Sequence, residues 1–232
     1  MIVAIDGPAA AGKGTLAKRL AEHFNLAYLD TGLIYRAVAA KVLAAGGPAG
    51  EAAVLDAAES LRIADLETPG LRGEAVSEQA SQLAVMPALR DAVLGFQRRF
   101  AHSPPFGRKG AVLDGRDIGT VVFPDADLKV FLIAQSETRA KRRLAEMGNR
   151  APTAVDVQNE VDRLGRRDRM DSSRTVAPLR QAADAVVIDT TDLTFEQQVE
   201  RIVELAEARM EAAARAENGI VHRGDAEGAG PV

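Results

Sequence analysis

The chain alternates short apolar runs with longer stretches in which apolar residues recur every three or four positions. The β-branched run Ile2-Val3-Ala4-Ile5-Asp6 predicts a first strand at 2–6. Leu16, Leu20 and Phe24 then fall at helical spacing and predict a helix over 15–24. A short strand at 27–29 and a helix over 33–45 follow, the helix ended by Gly46-Gly47-Pro48. Helical patterns cover 54–61 and 77–100, with a polar, Pro/Gly-marked region at 67–73 between them. Uninterrupted apolar runs at 111–114 and 128–133 fit strands buried on both faces. A basic helix is expected over 136–147, capped by Ser136, and a second charged helix over 155–169. A strand at 185–188 and a helix over 195–214 close the series. From Glu217 the chain is Gly-rich without an apolar period, which predicts a disordered tail at 217–232.

Strands alternating with helices imply a parallel sheet covered on both faces, the α/β three-layer class. Ligands of such sheets bind beyond the carboxyl ends of the strands. The 232 residues suit one domain, placed at 1–216. Hydrophobic residues make up 47% and aromatic ones only 4%, so the core is built of Ala, Val, Leu and Ile. A formal net charge of −4 gives no global footprint for nucleic acid. With no cysteine there is no disulfide, thiol nucleophile or cysteine-bound zinc. No basic leader precedes the first apolar run, and no apolar stretch is long enough to span a bilayer. The expectation is a cytoplasmic protein without membrane or nucleic-acid partners.

The loop after the first strand reads Gly7-Pro8-Ala9-Ala10-Ala11-Gly12-Lys13-Gly14-Thr15. A strand, a glycine-bounded loop ending in Lys and a hydroxyl, and a helix form a phosphate-binding P-loop. Its backbone N–H groups make a nest for oxygen anions, and the helix N-terminus adds partial positive charge. Lys13 would reach the β/γ-phosphates. The hydroxyl stands one place late, at Thr15 behind Gly14, as in nucleoside monophosphate kinases. Three consecutive alanines suit the loop middle on the condition that none of these positions needs φ > 0.

Three further clusters sit at strand ends or on charged helices. In Asp30-Thr31-Gly32-Leu33-Ile34-Tyr35-Arg36, Thr31 is expected to cap a helix. Arg36 is then either a surface arginine or part of an oxyanion clamp, since its fork matches phosphate. In Asp114-Gly115-Arg116-Asp117, an arginine stands between aspartates at a strand end. A structural salt bridge accounts for this pattern. So does a site in which Arg116 binds phosphate and Asp117 accepts from a polar ligand group. Asp114 is then a candidate to support Mg²⁺ in the manner of a Walker-B aspartate. Arg163, Arg166, Arg167, Arg169 and Arg174 alternate with Asp162, Asp168 and Asp171, without a lysine. That pattern is either a solvated helix face or an arginine-rich flap closing over phosphates.

Taken together, the loop from Gly7 to Thr15, Leu29-Asp30-Thr31-Gly32-Leu33-Ile34-Tyr35-Arg36, Asp114-Gly115-Arg116-Asp117-Ile118-Gly119-Thr120-Val121-Val122-Phe123-Pro124, and the run from Arg167 to Leu179 resemble the bacterial cytidylate (CMP) kinases. The likeness extends nearly to the last helix. It implies a P-loop NTPase fold with a five-stranded parallel sheet, a nucleoside-monophosphate-binding insertion at about 31–100 and an arginine-rich lid at about 148–176. It implies transfer of the ATP γ-phosphoryl group to CMP or dCMP by a monomer. By motif, Gly7, Pro8, Ala9, Ala10, Ala11, Gly12, Lys13, Gly14 and Thr15 would hold ATP, with Arg143 stacking on adenine. Thr31, Arg36 and Arg116 would hold the CMP phosphate, and Ser81, Arg90 and Asp117 would read cytosine. Arg167 and Asp171 would hold the sugar, with Arg174 near the transferring phosphate. Lys13, Arg116, Arg167 and Arg174 form the implied catalytic set. Mg²⁺ would come with ATP, on Thr15, phosphates and water, with Asp114 behind. One departure is visible: the segment 61–76 is short and Pro/Gly-broken where longer relatives carry a small β-sheet.

Adenylate-, shikimate- or uridylate-type kinases would share the loop and lid, but not Asp117 with Ser81 and Arg90. A nucleotide-dependent switch is disfavoured because no Asn-Lys-x-Asp guanine-reading motif occurs. A silent binding module is disfavoured by the retained Lys13, Thr15 and arginines.

Overall fold

A computed structural model describes residues 1–47 and 50–224. β1 (Ile2–Asp6), β2 (Ala27–Asp30), β3 (Ala111–Gly115), β4 (Leu128–Ile133) and β5 (Val186–Asp189) form one sheet in the order β2-β3-β1-β4-β5. All neighbouring pairs are parallel, with Val3 beside Val112 on one side and Leu128 on the other. The expected five-stranded α/β fold is therefore present. From β1 the chain crosses to the β2 edge, and from β3 it crosses back past β1 to β4. Connections leaving β1 and β3 in opposite directions open a crevice between their carboxyl ends. The phosphate-loop sequence and the Gly115-Arg116-Asp117 segment leave from those two strands.

The helices are α1 (Lys13–His23), α2 (Thr31–Ala44), α3 (Glu51–Glu59), α4 (Glu74–Leu83), α5 (Pro87–His102), α6 (Ser136–Glu146), α7 (Ala154–Ser172) and α8 (Phe195–Gly224). Side-chain alternation along β1 explains the two-sided packing. Val3 and Ile5 join Leu16 and Leu20 of α1 and Ile202 of α8 on one face. Ala4 joins Leu29, Leu113, Ile34, Val38, Leu89 and Val93 on the other, under α2 to α5. A third, small cluster of Ala9, Ala140 and Leu164 seats α6 and α7 against the phosphate loop.

Several boundaries differ from the sequence expectation. The helical pattern at 77–100 is two helices, because Pro87 has no N–H to continue α4 and instead opens α5. Ser136 is already helical and caps nothing; Gln135 precedes the first turn. The next helix starts with a true capping box, in which Thr153 Oγ1 accepts from Asp156 N at 3.2 Å and Asp156 Oδ2 accepts from Thr153 N at 2.9 Å. That helix runs on to Ser172, beyond the expected end at 169, and so carries Asp171. The last helix continues to Gly224, through 217–224 where no apolar period remains; 225–232 and Pro48 lie outside the described residues. Between 61 and 76 there is a 3₁₀ turn (Ile63–Glu67) and no strand among the described residues, in keeping with the short segment.

Candidate active site

Gly7 leaves β1 at φ +147°, and a Cβ there would stand 2.2 Å from Leu132 O on β4, so only glycine fits. The alanine expectation fails at one place: Ala10 sits at φ +58°, in the left-handed region. That conformation costs a residue with a Cβ roughly 1–2 kcal/mol. Ala10→Gly removes the strain but loosens the unfolded chain, so a net gain of about 0.5–1 kcal/mol is expected in chemical denaturation, with catalysis within about threefold.

Lys13 opens α1, is 7% exposed, and folds back so that Nζ donates to Pro8 O at 2.7 Å. Burial and the nearby Arg116 and Arg167 lower its pKa, partly offset by Asp114 and Asp6. Asp114 ends β3 in the opposite condition: burial and Asp30 raise its carboxyl well above the usual range. It accepts from Tyr28 Oη at 3.4 Å. Gly14 lies against this pair, since a Cβ would meet Asp114 Oδ2 at 3.2 Å and Tyr28 Oη at 3.3 Å. The Gly-Lys-Gly-Thr ending is thus the price of packing the loop on Asp114. Thr15 is exposed, and its hydroxyl has no hydrogen bond among the described residues.

Thr31 does not cap α2; Asp30 holds that place without a side-chain bond. Thr31 instead lies buried and donates from Oγ1 to Asp114 O at 2.7 Å, tying α2 to the end of β3. Arg36, five residues along, is 8% exposed and has no hydrogen bond or ion pair among the described residues. Burial, first, and the nearby arginines lower its pKa.

The sequence after β3 turns through one π-helical turn, Ile118–Val122. Asp6, at the end of β1, holds that turn: its carboxylate accepts from Ile118 N at 2.9 Å and Gly119 N at 2.7 Å. Burial raises the Asp6 pKa to about 6 in spite of these bonds. The turn presents Asp117, whose Oδ2 accepts from Arg90 Nη2 at 2.5 Å. Arg90 also donates to Ala84 O at 3.2 Å and lies 5.7 Å from the Tyr35 ring centre. Two residues from separate helical and strand-end motifs therefore form one polar corner. Ser81 lies on α4 and donates to Ser77 O at 2.9 Å, a bond internal to its helix.

From the other side, α7 brings an arginine cluster to the same edge. Asp171 accepts from Arg116 Nε at 2.8 Å and from Arg174. These two cations hold its carboxyl below the usual range against the upward pull of burial. Among the described residues Arg167 has no paired carboxylate, and its Nε is buried without a partner. Burial and Arg116 bring its pKa down to about 10. Arg143 lies on α6, half-buried, and pairs with Glu146 at 3.1 Å. Arg167 and Asp171 share one face of α7, as i and i+4 must, and Arg174 follows just beyond the C-cap Ser173.

Sequence reasoning named Asp168 only as part of a charged pattern and missed the partners that hold this arrangement. Asp168 accepts from Ala9 N at 3.0 Å and from Arg139 Nη1 at 2.5 Å, while Arg139 Nη1 also donates to Ala9 O at 3.0 Å. This clasp binds α6 and α7 to the phosphate loop. Asp6 and the Asp30–Arg72 pair were missed as well, because nothing in a local pattern says which distant group a carboxylate will meet. The only available signal was that Asp6 and Asp30 end apolar strands, where aspartate is disfavoured.

The residues fit a magnesium ion. Among the described residues no three carboxylate, His or Cys side chains gather into a metal cage. Magnesium is held mostly by phosphates and water with one or two protein oxygens. Thr15 Oγ1 is unpartnered, and the buried Asp114 carboxylate lies one residue's packing away, across Gly14.

A phosphate loop, a facing acidic–arginine corner and an arginine cluster between them suit phosphoryl transfer between two bound molecules. The sequence pattern of the family described as cytidylate kinase matches residues 3–208. A cytidylate kinase of Azorhizobium caulinodans is 51% identical over 197 residues, covering 85% of this chain and 93% of that one. A cytidylate kinase of Bradyrhizobium sp. is 47% identical over 209 residues, covering 90% and 96%. A solved structure, an uncharacterized protein from Eubacterium ventriosum, superimposes with a TM-score of 0.52 at 16% identity, covering 89% of this chain and 98% of that one. That last likeness concerns the fold alone. With the family pattern spanning nearly the whole described chain and relatives near half-identical, the chain belongs to the cytidylate kinase family.

Proposed function

We propose that this kinase transfers the γ-phosphoryl group of ATP to CMP or dCMP, giving ADP and CDP or dCDP. The observation that carries the reading is the buried Arg90–Asp117 corner, at the same sheet edge as the phosphate loop because β1 and β3 are neighbours. Cytosine has a donor at its exocyclic amine and acceptors at its ring nitrogen and carbonyl. A carboxylate held beside a guanidinium offers the matching acceptor and donors. Ser81 adds a hydroxyl from α4. Uracil lacks the amine, so it would leave Asp117 facing an acceptor.

Around this pair the roles divide by charge. Thr31, Arg36 and Arg116 hold the acceptor phosphate. The loop from Gly7 to Thr15 and Lys13 hold the donor phosphates, and Arg143 lies over the adenine. Arg167 and Asp171 hold the acceptor sugar, and Arg174 lies near the group in flight. Thr15, with phosphate oxygens and water, would hold a magnesium ion, which would supply neutralisation of charge on the donor phosphates. Lys13 and Arg167 rest as buried cations without full compensation, so the charge that develops in transfer meets donors already desolvated. No covalent enzyme intermediate is needed. Residues at about 31–100 act as the acceptor-binding part and those at about 148–176 as the lid, which excludes water. The clasp of Asp168 to Ala9 gives the lid its seat on the donor loop. A monomer in the cytoplasm suffices for this chemistry.

The test is coupled detection of ADP against a panel of nucleoside monophosphates, with and without Mg²⁺. CMP and dCMP should be used at least about a hundredfold better than UMP or AMP, in line with a polar site rejecting a mismatched ring. Asp117→Ala should lower kcat/KM for CMP by roughly a hundredfold while changing the KM for ATP by less than about threefold. Equal losses for both nucleotides would show Asp117 to be a structural partner of Arg90 only.

A further inference from the structure

Arg72 lies in the short segment between the 3₁₀ turn and α4, just after Leu71, which is buried in the core below α2. Its Nη2 reaches the Asp30 carboxylate at 2.5 Å. The two residues are separated by more than forty positions and join the shortened segment to the carboxyl end of β2. The Arg72 side chain is half-exposed, 56%, whereas that of Asp30 is 12% exposed. Asp30 is thus a shielded carboxylate at the base of α2, and Arg72 is its ion-pair partner among the described residues. It does not use its oxygens to cap the helix it begins. On the same helix, Arg36 stands buried without an ion pair or hydrogen bond among the described residues, in the field of both Asp30 and Arg72.

We infer that Arg72 is a positioning residue which engages Asp30 so that Arg36 stays free to take the acceptor phosphate. The inference rests on the reading of Arg36 as a phosphate ligand. The physical argument is a competition for one carboxylate. An unpaired Asp30 would turn to Arg36, a cation already in its field, or repel an incoming phosphate dianion directly. Either course weakens acceptor binding without touching the donor site. The bond from Arg72 therefore keeps a basic site basic, although it lies beside it. It also gives the short 61–76 segment a task that needs no small β-sheet: anchored by Leu71, it delivers one guanidinium to the end of β2.

The experiment is steady-state kinetics and CMP titration calorimetry on four variants: R72A, D30N, R72A with D30N, and R36A. R72A should raise the KM for CMP roughly tenfold, with kcat and the KM for ATP within about twofold. Adding D30N to R72A removes the competing charge and should restore the KM for CMP to within about threefold of the parent enzyme. Binding of cytidine, which has no phosphate, should be unaffected throughout. A double variant as impaired as R72A alone would overturn the inference, since Arg72 would then act on the ligand or on folding. An unaltered KM for CMP in R72A would overturn it too. R36A separates the two readings: it should raise the KM for CMP by roughly a hundredfold. If it does and the double variant fails to recover, only the role of Arg72 falls. If it does not, the reading of Arg36 falls and the role of Arg72 with it.

Discussion

Lys13→Ala should lower kcat about a thousandfold while leaving the folded protein at least as stable as the parent. The two halves of this result have one cause. Lys13 is buried among Arg116 and Arg167, with its ammonium bound to Pro8 O. In the absence of phosphate, its charge is carried at the expense of stability, as its lowered pKa reflects. Removing the side chain relieves that repulsion and leaves the Gly7 turn and the Ala10 kink untouched. On the proposed reading the same charge is the one that a donor phosphate needs in turnover, and no other lysine stands in the loop. ADP release under saturating CMP measures the first half, and thermal unfolding of the nucleotide-free protein the second. A variant with a near-parental rate would remove the phosphate-loop assignment.

Asp171→Ala is expected to act on both stability and rate. Asp171 is 3% exposed and is the carboxylate that separates Arg116 from Arg174, with Arg167 beside it. Breaking a buried pair by removing one partner costs about 3–5 kcal/mol, because the other charge is left uncompensated. Here three guanidinium groups would face one another, and kcat/KM for CMP should fall at least about a hundredfold. The pH dependence has a definite sign. The folded pKa of Asp171 lies below its ordinary value of 3.8, so its contribution is present above that pH. It is lost as pH falls through the depressed folded value. The stability gap between parent and variant, read from urea unfolding, should therefore be full at neutral pH and shrink in strong acid. Saturating nucleotides should also narrow it, since their phosphates supply the missing negative charge. A gap that ignores both acid and nucleotide would mean that Asp171 matters through packing alone.

Much of the site could be read along the chain because each motif is local. A Gly-bounded loop after an apolar strand, an arginine one turn into a helix and an arginine-rich helix are short-range patterns. What the pattern left open was which charge meets which. Arg90 and Asp117 stand on a helix and a strand end far apart in the chain, and their 2.5 Å contact follows from α5 packing beneath the turn that Asp6 holds. Thr31 looked like a cap because its hydroxyl begins a helix. In the folded chain the backbone of β3 competes for that hydroxyl and wins, at 2.7 Å. Ser136 looked like a cap for the same reason, although the helix takes it into its first turn. The missed break at 84–86 is different in kind, since Pro87 was visible and its lost N–H bond was enough to end α4.

The periodicity of apolar positions thus carried the elements, their order and the edge at which chemistry gathers, since burial of a face depends on neighbours three or four residues away. The three-dimensional fold alone decided the charge state of the site. Lys13 and Arg167 lose part of their basicity, Asp114 and Asp6 become weaker acids, and Asp171 a stronger one, because of groups brought together from separate strands and helices. Desolvation and Coulomb forces depend on distance in space, and a linear sequence records only distance along the chain. Ala10 makes the same point for the backbone: alanine prefers negative φ, yet next to Ala9, whose N–H donates to Asp168, it sits at φ +58°.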